Sequence, residues 1–209
     1  RTAARNAMEA GFDGVEIHGA NGYLLDQFLR DGANRRDDAY GGPIAHRARL
    51  LLEVTRGVCA EIGNGRTGLR LSPVTPANDL LDSDPQPLFN HVCEQLAPLR
   101  LMYVHLIEGA TGGRRDVPAR PGEPFDYEAL RTRVGGPWMV NNGYSRDMAL
   151  RAVSSGAADL VAFGKAFIAN PDLGRRLREA LPWNRPDPRT FFGGGERGYL
   201  DYPVFPPRV

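Results

Sequence analysis

Apolar positions along the chain fall into short runs separated by longer stretches of helical period. The runs cover residues 14–18, 67–73, 101–107, 137–141 and 159–164, and each is short enough to be a strand. Between them the spacing predicts helices over 23–29, 47–62, 87–96, 125–134, 145–154 and 173–181. In the 47–62 stretch Leu51, Val54, Val58 and Ile62 fall on one face, with Leu50 beside them. The first ten residues are alanine-rich and helix-like, and Gly11 is a C-cap type of residue. The chain opens on Arg1 rather than Met and enters at once into that helix, so a fragment is expected.

Strands alternating with helices predict a parallel sheet flanked by helices. Because the strands are short and apolar, both of their faces are expected to be covered. Two α/β architectures fit the alternation: an open doubly wound sheet, and a (β/α)₈ TIM barrel of which only about the last five strand–helix units are present. The barrel reading places about three units upstream. The stretch 109–124, with Gly112-Gly113 and three prolines, reads as a surface loop. The tail 182–209 is rich in Pro and Gly and is expected to wrap the body, so residues 1–209 form part of a single domain.

Charge narrows the partners. The chain has 26 basic and 25 acidic residues, a net charge of +1, so neither a nucleic-acid groove nor a basic membrane face is expected. No apolar run approaches the roughly 18 residues of a membrane span, and no signal-peptide pattern is present. Cys59 and Cys93 are too few for a disulfide scaffold and read as buried free thiols, which suits a reducing cytoplasm.

Candidate chemistry lies where the predicted strands end, the edge at which parallel α/β folds form their sites. His18-Gly19-Ala20-Asn21-Gly22-Tyr23 follows the first strand. His18 and Asn21 can both donate to one oxygen, and Tyr23 offers a phenolic proton. Asn142-Gly143 follows the fourth strand and Gly164-Lys165 the fifth. Glycines allow backbone N–H groups to approach phosphate oxygens, and Lys165, the only lysine of the chain, would add a cation. Arg70 lies inside an apolar strand and needs an anionic or carbonyl partner, structural or functional. His46 and His91 lie in helix-like stretches, His105 in a strand, and no histidine pair has metal-ligand spacing, so no metal is expected. The segment 34–42 reads as a loop held by ion pairs, and Gly193-Gly194-Gly195 as a turning tail. A lyase or isomerase would need a Schiff-base lysine or a strand-end carboxylate, and neither stands out.

The stretch from Gly11 to Leu29, continued through Asn34, Arg36, Asp37 and Tyr40-Gly41-Gly42, resembles the central signature of the old yellow enzyme family. Leu69-Arg70-Leu71-Ser72-Pro73 is similar to the family's next strand, and the segment 161–173 to its last. The tail from Gly193 to Pro203 resembles the N-ethylmaleimide reductase branch. The resemblance implies an FMN-binding barrel that takes hydride from NAD(P)H and reduces activated alkenes such as enones, maleimides and nitro compounds. It implies that His18 and Asn21 bind the substrate oxygen, that Tyr23 protonates the α-carbon, and that Arg70 contacts the pyrimidine edge of the flavin. By the same resemblance Asn142, Gly143, Gly164 and Lys165 match the FMN phosphate site. Lys165 stands where many relatives carry Arg, Asn142 where Gly is frequent, and Phe192 where Tyr is. The alternative expectation is a catalytically incompetent barrel fragment that needs a partner chain or self-association over its open sheet edges.

Overall fold

A computed structural model describes residues 1–206 apart from 77, 79, 121, 122 and 194. Five parallel strands form its main sheet: β1 (Val15–Gly19), β2 (Thr67–Leu71), β3 (Tyr103–Ile107), β6 (Trp138–Asn141) and β7 (Leu160–Ala162). They pair in chain order, each with the next. A doubly wound sheet reverses its order at a switch point. This one does not, so it winds in one direction as a barrel does, with five strands of the eight a closed barrel holds.

Helices α1 (Thr2–Glu9), α2 (Leu24–Leu29), α3 (Ile44–Arg47), α4 (Arg49–Ile62), α5 (Pro85–Leu96), α6 (Tyr127–Val134) and α7 (Arg146–Ser154) lie between the strands. The short α8 (Lys165–Ala169) and α9 (Leu173–Glu179) follow β7. Alternate strand residues Ile17, Leu69, Leu71, Val104, Leu106, Trp138 and Val140 join Leu51, Val58, Leu88, Phe89 and Leu130 from the helices in one core. Gly19 is needed where it stands, because a Cβ there would come within 2.7 Å of the Leu51 side chain. The opposite face carries Glu16, His18, Arg70, Tyr103, His105, Met139 and Asn141. It is polar, and Glu16 and His18 are in part open to solvent. One face of the sheet thus packs on the helices, and the other, which a closed barrel turns to its interior, alternates in polar residues where wholly apolar strands were expected.

Smaller differences have local causes. The buried face of α4 is carried by Leu51, Leu52, Thr55, Val58 and Cys59, while Leu50, Val54 and Ile62 sit at its margin. Within 109–124, Pro118–Arg120 (β4) and Glu123–Pro124 (β5) pair as an antiparallel hairpin too short to show a strand period. The 34–42 loop is held by the Arg36–Asp38 ion pair and by Asn34, which donates to the Phe28 and Tyr40 carbonyls. Gly193 turns the tail at φ +92°, and Gly194 lies outside the described residues. The tail wraps α9: Arg176 donates to the Pro182 and Pro203 carbonyls, and Asp172 accepts from the Phe205 amide. Both cysteines are buried, and burial pushes the Cys93 thiol up to about 12. Among the described residues no helix is long and apolar enough to cross a membrane.

Candidate active site

The turn after β1 is built from two consecutive left-handed residues, Asn21 at φ +58° and Gly22 at φ +74°. Asn and Gly are the residues that adopt this conformation most readily. The turn delivers Tyr23 to the N-cap of α2 and brings its ring within 5.3 Å of the His18 ring, centroid to centroid. Tyr23 is exposed, with 59% of its surface open.

A buried network fixes this turn to the end of β2. Asp26 accepts from the Gly22 amide at 3.0 Å and pairs with Arg30 at 2.8 Å, and both side chains are essentially inaccessible to water. Arg30 also donates to the carbonyls of Ser72 and Pro73, at 2.5 Å each, and its guanidinium lies over the Phe89 ring. Ser72 in turn accepts from the Asn21 amide at 2.8 Å. A buried ion pair persists when its hydrogen bonds are met, and here Asp26 and Arg30 are both multiply bonded. Sequence spacing alone gave no sign of this network, because Ser72 lies 46 residues from Asp26. Its one visible trace was a charged i,i+4 pair in the apolar stretch Leu24-Leu25-Asp26-Gln27-Phe28-Leu29-Arg30.

The register sets His18 beside Arg70, and Arg70 beside His105. Burial and the Arg70 charge hold the His18 imidazole below its ordinary pKa, so it is neutral near pH 7 and has one N–H to donate. Arg70 donates from Nη2 to Asn141 Oδ1 at 3.1 Å, while its buried Nε has no partner among the described residues. Glu16 and His105, beneath Arg70, bond at 2.8 Å. Burial pushes the Glu16 carboxyl up, but the bond to His105 and the charges of His105 and Arg70 outweigh it and hold the group below its usual range.

The other candidate residues emerge from the adjacent ends of β6 and β7, across β3 from the first group. Gly143, at φ +68°, and Gly164 are exposed, with open space where a Cβ would lie. Lys165 is exposed at the start of α8. Asn142 is buried at φ +117°, and its side chain is already committed. It donates to the Glu108 and Ala110 carbonyls and accepts from the Gly112 amide. The loop after β3 therefore bridges the two groups, since its Thr111 donates to Asn21 Oδ1 at 2.6 Å. The expectation of a plain surface loop gave no reason to suspect that bridge.

The geometry sets His18, Asn21 and Tyr23 at one strand end beside a guanidinium N–H without a partner among the described residues, with open backbone further along the same rim. Residues 1–184 match the family model described as NADH:flavin oxidoreductase / NADH oxidase. The chain belongs to this family. It is 47% identical over 208 residues to a putative 12-oxophytodienoate reductase 12 of Oryza sativa subsp. japonica, covering 96% of this chain and 51% of that protein. A probable flavin mononucleotide-dependent alkene reductase of Leishmania infantum is 45% identical over 201 residues, covering 96% of this chain and 53% of its own length. Among solved structures, the old yellow enzyme homologue from Zymomonas mobilis matches with a TM-score of 0.89 and 41% identity. That match covers 97% of this chain and 56% of the other. The chain thus spans about half the length of the relatives it matches, as a one-way five-strand sheet from an eight-stranded barrel would.

Proposed function

We propose that this chain carries the substrate-side half of an FMN-dependent, NAD(P)H-driven reductase of activated alkenes, including α,β-unsaturated carbonyls, maleimides and nitro compounds. The observation that carries the proposal is the buried, unpaired Arg70 Nε beside neutral His18 and the fixed Asn21. An orphaned buried N–H is costly unless a ligand meets it, and the acceptor-rich pyrimidine edge of a flavin fits it. Gly143 and Gly164, with open space at their Cβ positions, fit a phosphate brought close to the backbone, and Lys165 fits its charge. Asn142 would contribute by holding the neighbouring loop, because its side chain is spent there.

When bound, FMN supplies the hydride that reaches the β-carbon of the alkene, and NAD(P)H replaces it. The chain's own residues do the rest. His18 and Asn21 donate to the carbonyl or nitro oxygen and draw electron density from the double bond. The Tyr23 phenol gives its proton to the α-carbon and recovers one from solvent, to which it is open. Arg70 sets a positive charge beside the flavin's place. The experiment is to express the protein, record its visible spectrum, and follow 2-cyclohexenone and N-ethylmaleimide reduction with NADH and NADPH. Bound FMN and turnover that Arg70→Ala reduces would support the assignment. A protein that binds FMN and turns over unchanged after Arg70→Ala would remove its main support.

The open polar sheet face favours a second reading, in which this chain by itself is inactive and binds FMN only with a partner chain or a second copy. A colourless, non-binding 209-residue chain that turns yellow on pairing would favour that reading.

A further inference from the structure

The bond between the β3 loop and the substrate corner has a direction, and that direction decides what Asn21 can offer. An asparagine amide has an acceptor oxygen on one side and a donor nitrogen on the other, and only the nitrogen can hold a substrate oxygen. Thr111 Oγ1 lies 2.6 Å from Asn21 Oδ1 and 3.2 Å from Thr75 Oγ1. Thr75, which is buried, donates its one proton to the Gly109 carbonyl at 2.8 Å.

Two bond directions are open to these neighbours. In one, Thr111 donates its single proton to Asn21 Oδ1, Nδ2 is left to face the site, and the longer Thr111–Thr75 contact carries no proton. In the other, the amide is reversed: Nδ2 donates to Thr111, Thr111 donates to Thr75, and the amide oxygen faces the site. The second arrangement would repel a substrate carbonyl. The structure takes the first: the amide atom set against Thr111 Oγ1 is Oδ1, and at 2.6 Å it is the nearer of the two acceptors, Thr75 Oγ1 lying at 3.2 Å.

We propose that Thr111 is a positioning residue that holds the Asn21 amide with its donor toward the substrate, so that the β3 loop sets the polarity of the oxygen site. The inference rests on the reading of Asn21 as a substrate-oxygen donor. Both backbones concerned are already fixed. Asn21 is tied to Ser72, and the Thr111 turn is clamped by Asn142, by the Ala110–Arg114 backbone bond at 2.7 Å, and by Tyr127, whose hydroxyl accepts from the Gly109 amide. The freedom left is rotation of the amide, and the Thr111 hydroxyl removes it.

The test uses the FMN-loaded protein and two ligands that are not alkenes: cyclohexanone, whose oxygen only accepts, and cyclohexanol, which also donates. Binding is read from the change each produces in flavin absorbance. Asn21→Ala is expected to lose affinity for the ketone. Thr111→Val is expected to weaken ketone binding about tenfold, the scale of one lost orienting hydrogen bond, while the alcohol changes less. Thr111→Ser, which keeps the hydroxyl, is expected to bind as the parent does. A Thr111→Val protein with parental ketone affinity, where Asn21→Ala has lost it, overturns the positioning role and leaves the site's reading intact. Equal loss for ketone and alcohol also overturns it, since a loosened loop would act on both. Parental affinity in Asn21→Ala overturns the inference together with the reading beneath it. If Thr111→Val does not fold, Thr111→Ala removes the same hydroxyl from an exposed position and is read in the same way.

Discussion

At the ends of β1 and β2 the chain bonds most of its own polar groups, whereas at the ends of β6 and β7 it leaves backbone open. The first region rests on Asp26, Arg30 and Ser72, which lock the Asn21 turn before any ligand arrives. The second presents Gly143, Gly164 and Lys165 to solvent, with Phe167 and Ile168 exposed beyond them. Donors that must act on a developing charge gain most from being fixed in advance. A phosphate group can instead complete its own site, since it brings charge and several acceptors with it. Mutations should therefore register as stability in the first region and, at Gly143, Gly164 and Lys165, as cofactor affinity in the second, where Asn142 is the exception because its side chain is spent on the loop.

The largest effect expected is from Asp26→Ala, which strands the buried Arg30 charge. A loss of about 3–5 kcal/mol is expected, seen as a lower urea midpoint. A loss below about 1 kcal/mol would show that the two regions do not differ in this way. Lys165→Gln should leave the urea midpoint unchanged and weaken FMN binding about tenfold, with a shallower salt dependence in fluorescence titrations. A drop in stability without a change in FMN affinity would reverse the assignment of Lys165. Asn142→Gly relieves a positive φ but removes three hydrogen bonds. A net loss of about 1–2 kcal/mol and faster amide exchange over residues 108–112 are expected. Protection equal to the parent's would show that the loop does not depend on this clamp. The smallest effect concerns Cys93, whose thiol is buried and pushed up to about 12. It should resist alkylation by iodoacetamide at pH 8 until the protein is unfolded, and rapid labelling of the native protein would contradict its place in the core.

Much of the fold was legible because strand and helix periods are local properties of the sequence. The five strand runs and the helices 87–96, 125–134 and 145–154 lie within about two residues of the observed elements. The polar residues Glu16, His18, Arg70 and His105 already alternated with the core positions, but the idea of a doubly covered sheet hid their shared face. The short helix α8 and the β4–β5 hairpin were missed because two to five residues carry no period. In the site, His18, Asn21 and Tyr23 were legible from their crowding at one strand end. Their supports were not. Ser72, Thr75 and Thr111 are ordinary residues in sequence and acquire meaning only where the sheet brings its loops together. Asn142 shows the reverse case, a residue singled out for a phosphate whose side chain is occupied in holding a loop.

The central claim is that the corner formed by His18, Asn21 and Tyr23 performs the substrate half of an alkene reduction. Rapid mixing of Tyr23→Phe in the FMN-loaded protein tests it most directly. Reduction by NAD(P)H should proceed at the parental rate, while reoxidation by 2-cyclohexenone should slow by about 10²-fold or more, the usual contribution of a positioned acid. Reoxidation at the parental rate would contradict the account.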